Sequence, residues 1–305
     1  MPIPNLSKSL DVAQLRHIQS VNESPQRRGP DTLVRYMLPT LQRVRSACIS
    51  KSELSRLRTD PFYYYLVART RYYDQAFTEA ASHGVERILN VGCGTDTRAY
   101  RFRRLLCEHH VRVLECDQAQ LIHERQRIVK RWGHAPYVGH LAIDLDDGCW
   151  PELEQWLGHP TGPRTLVLME GVSPYVETGA FTQFLELLGA KLAVGSQMTY
   201  DFKLMGVNDD LGRDGRGRGS FRLPSNRSAV VAFHKRWGLH LEHMELSSEL
   251  CVRLLPDLKQ SGNPLFEEDA LVRLYVAGSQ ASERPCATQP QDRPEVSRFR
   301  WNMLG

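Results

Sequence analysis

The chain of 305 residues has no Cys-x-x-Cys pair, no apolar run long enough to span a membrane, and no strong excess of either charge. Each absence removes a class of function. The seven cysteines (Cys48, Cys93, Cys107, Cys116, Cys149, Cys251 and Cys286) are odd in number and irregular in spacing. That fits a reduced chain with neither a disulfide framework nor a metal site. A formal charge of +4 is small for this length and, without clustering, points to neither a nucleic-acid partner nor a membrane patch. The opening segment, Met1-Pro-Ile-Pro-Asn-Leu-Ser-Lys8, lacks the apolar stretch of a signal peptide, so the expectation is a cytoplasmic protein. With 41% hydrophobic and 24% charged residues, the chain can bury one large core.

The most informative stretch present is Arg87-Ile-Leu-Asn-Val-Gly-Cys-Gly-Thr-Asp-Thr-Arg98. A short apolar strand runs into a Gly-x-Gly turn, and Asp117 closes the next apolar run. In α/β folds such a turn lets a nucleoside touch backbone, and an acid at the second strand end accepts its ribose hydroxyls. A dinucleotide would place its pyrophosphate on the helix start with a third small residue nearby. Here that position is Thr97, preceded by Asp96, whose charge opposes a phosphate. S-adenosylmethionine (SAM) has no phosphate and carries a sulfonium and an ammonium, so the turn suits SAM better than NAD.

Residues 7–82 read as mostly helical, a cap over the strand ends. From residue 86 the pattern alternates, with strands at 87–91, 111–116, 137–143, 165–169, 195–202, 239–246 and 271–277, and helices at 96–108, 119–131, 178–190 and 228–237. The expected fold class is α/β: a doubly wound, mostly parallel seven-stranded sheet with an N-terminal helical cap. The cap covers 1–84 and the ligand-binding domain 85–280. A Gly-, Asp- and Arg-rich mobile loop occupies 206–220, and a Pro- and Arg-rich tail 281–305.

Gly92-Cys-Gly-Thr-Asp-Thr-Arg-Ala-Tyr-Arg-Phe102 resembles the glycine loop of the leucine carboxyl methyltransferase-like family of class I SAM-dependent methyltransferases. Four more segments resemble that family in the right order: Asp60-Pro-Phe with Ala68-Arg-Thr-Arg71 and Asp74; Leu114-Glu-Cys-Asp117; Ala142-Ile-Asp-Leu145 with Trp150; and Leu166-Val-Leu-Met-Glu-Gly171 with Tyr175. The resemblance covers roughly residues 20 to 280. Val21 to Pro30 offers no clear counterpart of the lysine that eukaryotic members place near the cofactor. The segment is closer to the bacterial branch, whose acceptors are often small molecules.

The resemblance implies SAM as cofactor and a set of residues around it. Arg69, with Arg71 as the alternative, would meet the methionine carboxylate through its guanidinium fork. Gly92, Cys93 and Gly94 would bring backbone to the amino-acid part, and Asp117 would take the ribose hydroxyls. Asp144 would accept the adenine amine with Leu145 against the ring, and Glu170 would lie near the ammonium. Plainer roles stand beside these: Arg71 paired with Asp74, Asp144 as a helix cap, Asp117 as a solvated strand end.

Tyr175, Tyr200 and Asp201 follow strand ends and either line an acceptor pocket or merely pack. No catalytic base is evident, and a carboxylate acceptor needs none, being ionised at neutral pH. The expected function is therefore O-methylation of a small molecule, on a carboxylate or, next, a hydroxyl. The alternatives are methylation of a protein C-terminal carboxylate and a SAM-binding protein without turnover. His109, His110, His240 and His243 match no metal-site spacing and read as surface residues.

Overall fold

The computed structural model describes residues 4–133, 135–206, 220–260 and 262–277. Four helices lead the chain: α1 (Pro4–Asn22), α2 (Thr40–Ala47), α3 (Lys51–Arg58) and α4 (Pro61–Ser82). After β1 (Arg87–Val91) come the short helices α5 (Arg98–Arg101) and α6 (Arg103–Glu108), then β2 (Arg112–Asp117) and α7 (Ala119–Val129). β3 (Val138–Ala142), α8 (Pro151–Leu157), β4 (Thr165–Met169), α9 (Thr178–Lys191) and β5 (Gln197–Leu204) continue the alternation. The described chain closes with β6 (Arg222–Leu223), α10 (Arg227–Lys235), β7 (Leu239–Leu246), α11 (Ser247–Leu254), α12 (Asp257–Gln260) and β8 (Asp269–Val276).

Seven strands form one path, β3-β2-β1-β4-β5-β8-β7, and the two-residue β6 pairs with β5 beside it. β1 to β5 pair in parallel, whereas β8 runs antiparallel to both β5 and β7. β4, Thr-Leu-Val-Leu-Met, is buried at every position, as a strand covered on both faces must be. On one face α9 contributes Phe181, Phe184, Leu185 and Leu188 to the core. On the other, α4 contributes Tyr63 to Ala81 against Ile88, Val113, Leu166 and Leu271. The chain leaves β1 towards β2 and β3, then returns to β4 on β1's other side. That reversal opens a crevice at the carboxyl ends of β1 and β4, where open α/β sheets bind ligands.

All seven expected strands form, three at the expected bounds and four with ends shifted by one or two residues. The expected helix 96–108 is two helices broken at Phe102, and it starts at Arg98 because Asp96 Oδ1 accepts the Arg98 N–H at 2.7 Å. Within the N-terminal block α1 and α4 both reach the strand ends, through Ser9, Val12 and Arg16 and through Phe62 and Arg69, while the rest of α4 packs along the sheet face. Asp60 caps α4 by accepting from the Phe62 N–H at 2.9 Å, with Pro61 at its first position. Most of the expected loop at 206–220 and the whole tail 281–305, with Cys286, lie outside the described residues. No described helix is long and apolar enough to cross a membrane. Among the described residues, no group of three or more His, Cys, Asp or Glu could hold a metal ion.

Candidate active site

A cavity of 470 Å³ opens at the crevice, and α1, α4, the ends of β1 to β5 and the start of β8 line it. Gly92 and Gly94 carry φ of +65° and +39°. A Cβ on Gly92 would sit 2.2 Å from a Val172 methyl, and one on Gly94 2.8 Å from Ser9 Oγ of α1. The turn thus needs glycine both for its conformation and for the approach of its neighbours. Arg125 of α7 holds the turn from behind, donating to the carbonyls of Gly94 (2.9 Å) and Asp96 (2.6 Å). Glu115, fully buried, balances that guanidinium through two contacts, one at 2.5 Å from Nε.

Asp117 closes the turn. Its Oδ2 accepts from the Gly94 N–H at 2.7 Å and its Oδ1 from the Gln118 N–H at 2.8 Å. Each oxygen keeps a further acceptor site for a ligand hydroxyl. Burial pushes the Asp117 carboxyl up, and the two backbone N–H groups only partly offset this. Cys93 and Cys116 are buried fillers whose thiols burial pushes well up, so neither is a ready nucleophile. Cys93 lines the cavity.

Asp96 is not the bare charge that its place in the turn suggests. It pairs with Arg98 Nη1 at 2.7 Å and accepts from Asn90 Nδ2 at 3.0 Å. Burial pushes its carboxyl up, but Arg98 and Arg16 outweigh that and hold it well below the usual range. Its repulsion of a phosphate is therefore weaker than sequence reasoning supposes, because a partner cancels most of the charge.

Asp144 caps the short turn after β3, accepting from the Asp146 N–H at 3.1 Å, and also takes a hydrogen bond from Gln118 Nε2 at 2.9 Å. Trp150 Nε1 donates to the Asp144 carbonyl at 2.7 Å and fixes this corner. Both Asp144 and Leu145 line the cavity, so the capping role and the cavity position coexist.

Arg69 and Glu170 meet at the junction of α4 and β4. Arg69 lies 3.3 Å from Glu170 and 3.5 Å from Asp201, and Arg98 Nη1 reaches Glu170 at 2.7 Å. Burial pushes Glu170 up, yet Arg98 and Arg69 pull it net downward. Asp201 differs. Tyr73 Oη and the Gly171 N–H both donate to its Oδ1 at 2.7 Å, and burial, aided by nearby Asp269, leaves its carboxyl raised despite Arg69.

Two candidate residues are not in the cavity. Arg71 donates to the carbonyls of Leu254 (2.9 Å), Gln26 (2.8 Å) and Arg28 (3.1 Å) on the opposite side of α4. Residues two apart on a helix do not share a face, so Arg69 and Arg71 cannot serve one site. Nor does Arg71 pair with Asp74, which binds Arg98 and Arg101 instead. Tyr200 is fully buried on the core side of β5, where its hydroxyl bonds His234 Nε2 at 2.6 Å. Alternation along β5 sends Tyr200 and Phe202 into the core and Asp201 and Lys203 to the cavity. Tyr175 does line the cavity, 47% exposed.

The cavity also includes residues that sequence reasoning missed. Ser9, Val12 and Arg16 of α1 form one wall, and Phe62, Lys203, Phe266, Glu268 and Asp269 form the far end. Lys203 pairs with Glu268 at 3.0 Å and Asp269 at 2.8 Å, and sits 4.6 Å from the Phe266 ring. Only the alternation of β5 could have signalled Lys203.

Comparison with known proteins came to the same region. The family described as Leucine carboxyl methyltransferase matches residues 10–189. A Mycolicibacterium paratuberculosis protein named "Putative S-adenosyl-L-methionine-dependent methyltransferase" is 28% identical over 275 residues, 82% of this chain and 86% of that one. A Mycobacterium marinum protein of the same name is 31% identical over 135 residues, 44% of each chain. Among solved structures, an S-adenosylmethionine dependent methyltransferase from Mesorhizobium loti aligns with a TM-score of 0.43 and 16% identity, over 66% of this chain and 97% of that one.

Proposed function

This chain belongs to the leucine carboxyl methyltransferase family and is a SAM-dependent methyltransferase, and from that premise we propose that it methylates a carboxylate or hydroxyl oxygen of a small molecule. The observation that carries the reading is one continuous cavity joining the glycine turn to a polar, aromatic-walled far end. Its 470 Å³ lies in the range of small-molecule sites.

The residues suit the cofactor. Arg69 lines the cavity and is only loosely engaged, its Nε 3.3 Å from Glu170 and its Nη1 3.5 Å from Asp201, so its guanidinium can receive a carboxylate. The backbone at Gly92 to Gly94 is open to close approach, and Asp117 has acceptor capacity for two hydroxyls. Asp144 and Leu145 would hold the adenine, and Glu170 would offset positive charge near the amine. Bound SAM would supply an electrophilic methyl on a sulfonium. The protein's part is to fix both partners in near-attack geometry, which can remove much of the barrier.

SAM or its demethylated product should raise the melting temperature of the protein, and NAD should not. An equal response to NAD would sink the cofactor assignment. Incubation with methyl-labelled SAM and candidate acceptors, followed by mass spectrometry, then separates a base-labile ester from a stable ether.

A further inference from the structure

We propose that the acceptor is a phenol and that Asp201 takes its hydroxyl proton during methyl transfer. This rests on the methyltransferase reading above and chooses between its two oxygen nucleophiles.

The first support is how Asp201 is held. It stands one residue beyond the last β4–β5 pair, Met169 with Tyr200, so its carboxylate sits beside Glu170 at the carboxyl edge. The two oxygens are treated differently. Oδ1 is locked by two donors, Tyr73 Oη and the Gly171 N–H. Oδ2 has one contact among the described residues, Arg69 Nη1 at a long 3.5 Å. A carboxylate that only needed neutralising would take both Arg69 nitrogens at close range. Here one oxygen is fixed as an anchor, and the other is left with acceptor capacity on a cavity wall.

The second support is the charge of the far end. Four carboxylates (Glu170, Asp201, Glu268 and Asp269) share the cavity wall with two cations, Arg69 and Lys203, and a third, the fully buried Arg98, reaches Glu170 while also pairing with Asp96 and Asp74. Arg69 is the residue suited to the cofactor carboxylate, and Lys203 is already held by Glu268 and Asp269. A free carboxylate entering here meets net repulsion. A neutral hydroxyl does not, and it can donate its proton to Oδ2.

The third support is the wall. Phe62 and Phe266 meet edge to face at 5.5 Å, and Tyr65 stacks behind Phe266 at 4.6 Å. Phe62 and Phe266 line the cavity, which suits a flat aromatic acceptor. Acidity agrees. A phenol titrates near pH 10, within reach of a carboxylate whose own affinity for a proton is raised by burial. The charged and titratable groups around Asp201 are Tyr65, Arg69 and Tyr73 from α4, Glu170 just after β4 and Asp269 from β8.

The step balances without another reactant. The acceptor oxygen bonds the methyl carbon as that carbon's bond to sulfur breaks, and the electron pair stays on sulfur. The hydroxyl proton passes to Asp201 Oδ2 and then to solvent.

The test uses 4-nitrophenol, whose absorbance reports its ionisation, bound to the full-length protein with the demethylated product of SAM present. Calorimetry of that product alone comes first. If it does not bind, the methyltransferase reading itself fails. If it binds, wild type should bind 4-nitrophenol and raise its apparent pKa, while Asp201→Asn should lower that value by about one unit or more, because a negative neighbour is gone. With a series of phenols, kcat of Asp201→Asn should fall about a hundredfold or more for weakly acidic members. The fall should be much smaller for members already ionised at neutral pH. The variant's rate should climb about tenfold per pH unit up to the phenol's own pKa near 10, whereas wild type loses activity only as pH falls through the Asp201 pKa. The proposal is overturned by an absence of phenol binding, by benzoate methylated in preference, by an N-methylated product, or by equal loss across the phenol series.

Discussion

At the β1–β2 end of the cavity, the lining includes an unbroken run of the chain, Asn90 to Asp96, with Asp117 one strand later. At the β5–β8 end, the surface is assembled from Phe62, Asp201, Lys203, Phe266, Glu268 and Asp269, drawn from three distant parts of the chain. The first end is held by backbone: glycine turns, N–H groups on Asp117, and Arg125 on two carbonyls. The second is held by side chains that pair with one another. An end built from backbone recognises what every reaction of the class shares. An end built from side chains is where the identity of the acceptor is written.

Variants at the two ends should therefore fail in different ways. The largest effect is expected behind the turn. Arg125→Ala leaves the fully buried Glu115 with only His140 and Tyr100 as partners, and chemical denaturation should show a loss of about 3 kcal/mol. Asp117→Ala should weaken SAM binding at least tenfold by calorimetry, about 1.4 kcal/mol, with little change in acceptor KM. Lys203→Met should do the reverse, shifting acceptor KM severalfold and leaving SAM affinity unchanged. Joint loss in either variant would dissolve the distinction between the ends.

Smaller effects sharpen it. Burial holds His234 down to about 4, its Nδ1–H donating to the Val230 carbonyl at 2.7 Å and its Nε2 accepting from Tyr200. Between that value and the unfolded value near 6.5, the unfolded chain binds the extra proton, so stability falls as pH drops through the window. His234→Gln should flatten that part of the stability–pH curve. Tyr200→Phe should cost about 1 kcal/mol without touching acceptor KM, as a core residue would. Arg71→Met should leave SAM affinity unchanged.

The same contrast explains what could be read in advance. The sheet, its strands and the glycine turn were legible because they are local: apolar runs, turn residues and an acid at fixed spacing. A helical spacing of two shows from sequence alone that Arg69 and Arg71 cannot share a site, but only the structure says that Arg69 is the one in the cavity. Tyr200 could not, because alternation says that Tyr200 and Asp201 face opposite ways but not which one faces the ligand. The neutralised charge of Asp96 was hidden in side-chain geometry, although Arg98 stood two residues away. Phe266, Glu268 and Asp269 gave no signal, as only the pairing of β8 with β5 brings them to the edge.

Because β8 enters the sheet backwards, its beginning rather than its end reaches the ligand edge, and the connection just before it arrives there too. That connection shares no residue with the glycine turn. Descendants of this protein can change Phe266, Glu268 and Asp269 and so acquire new products while their grip on the methyl donor is inherited intact.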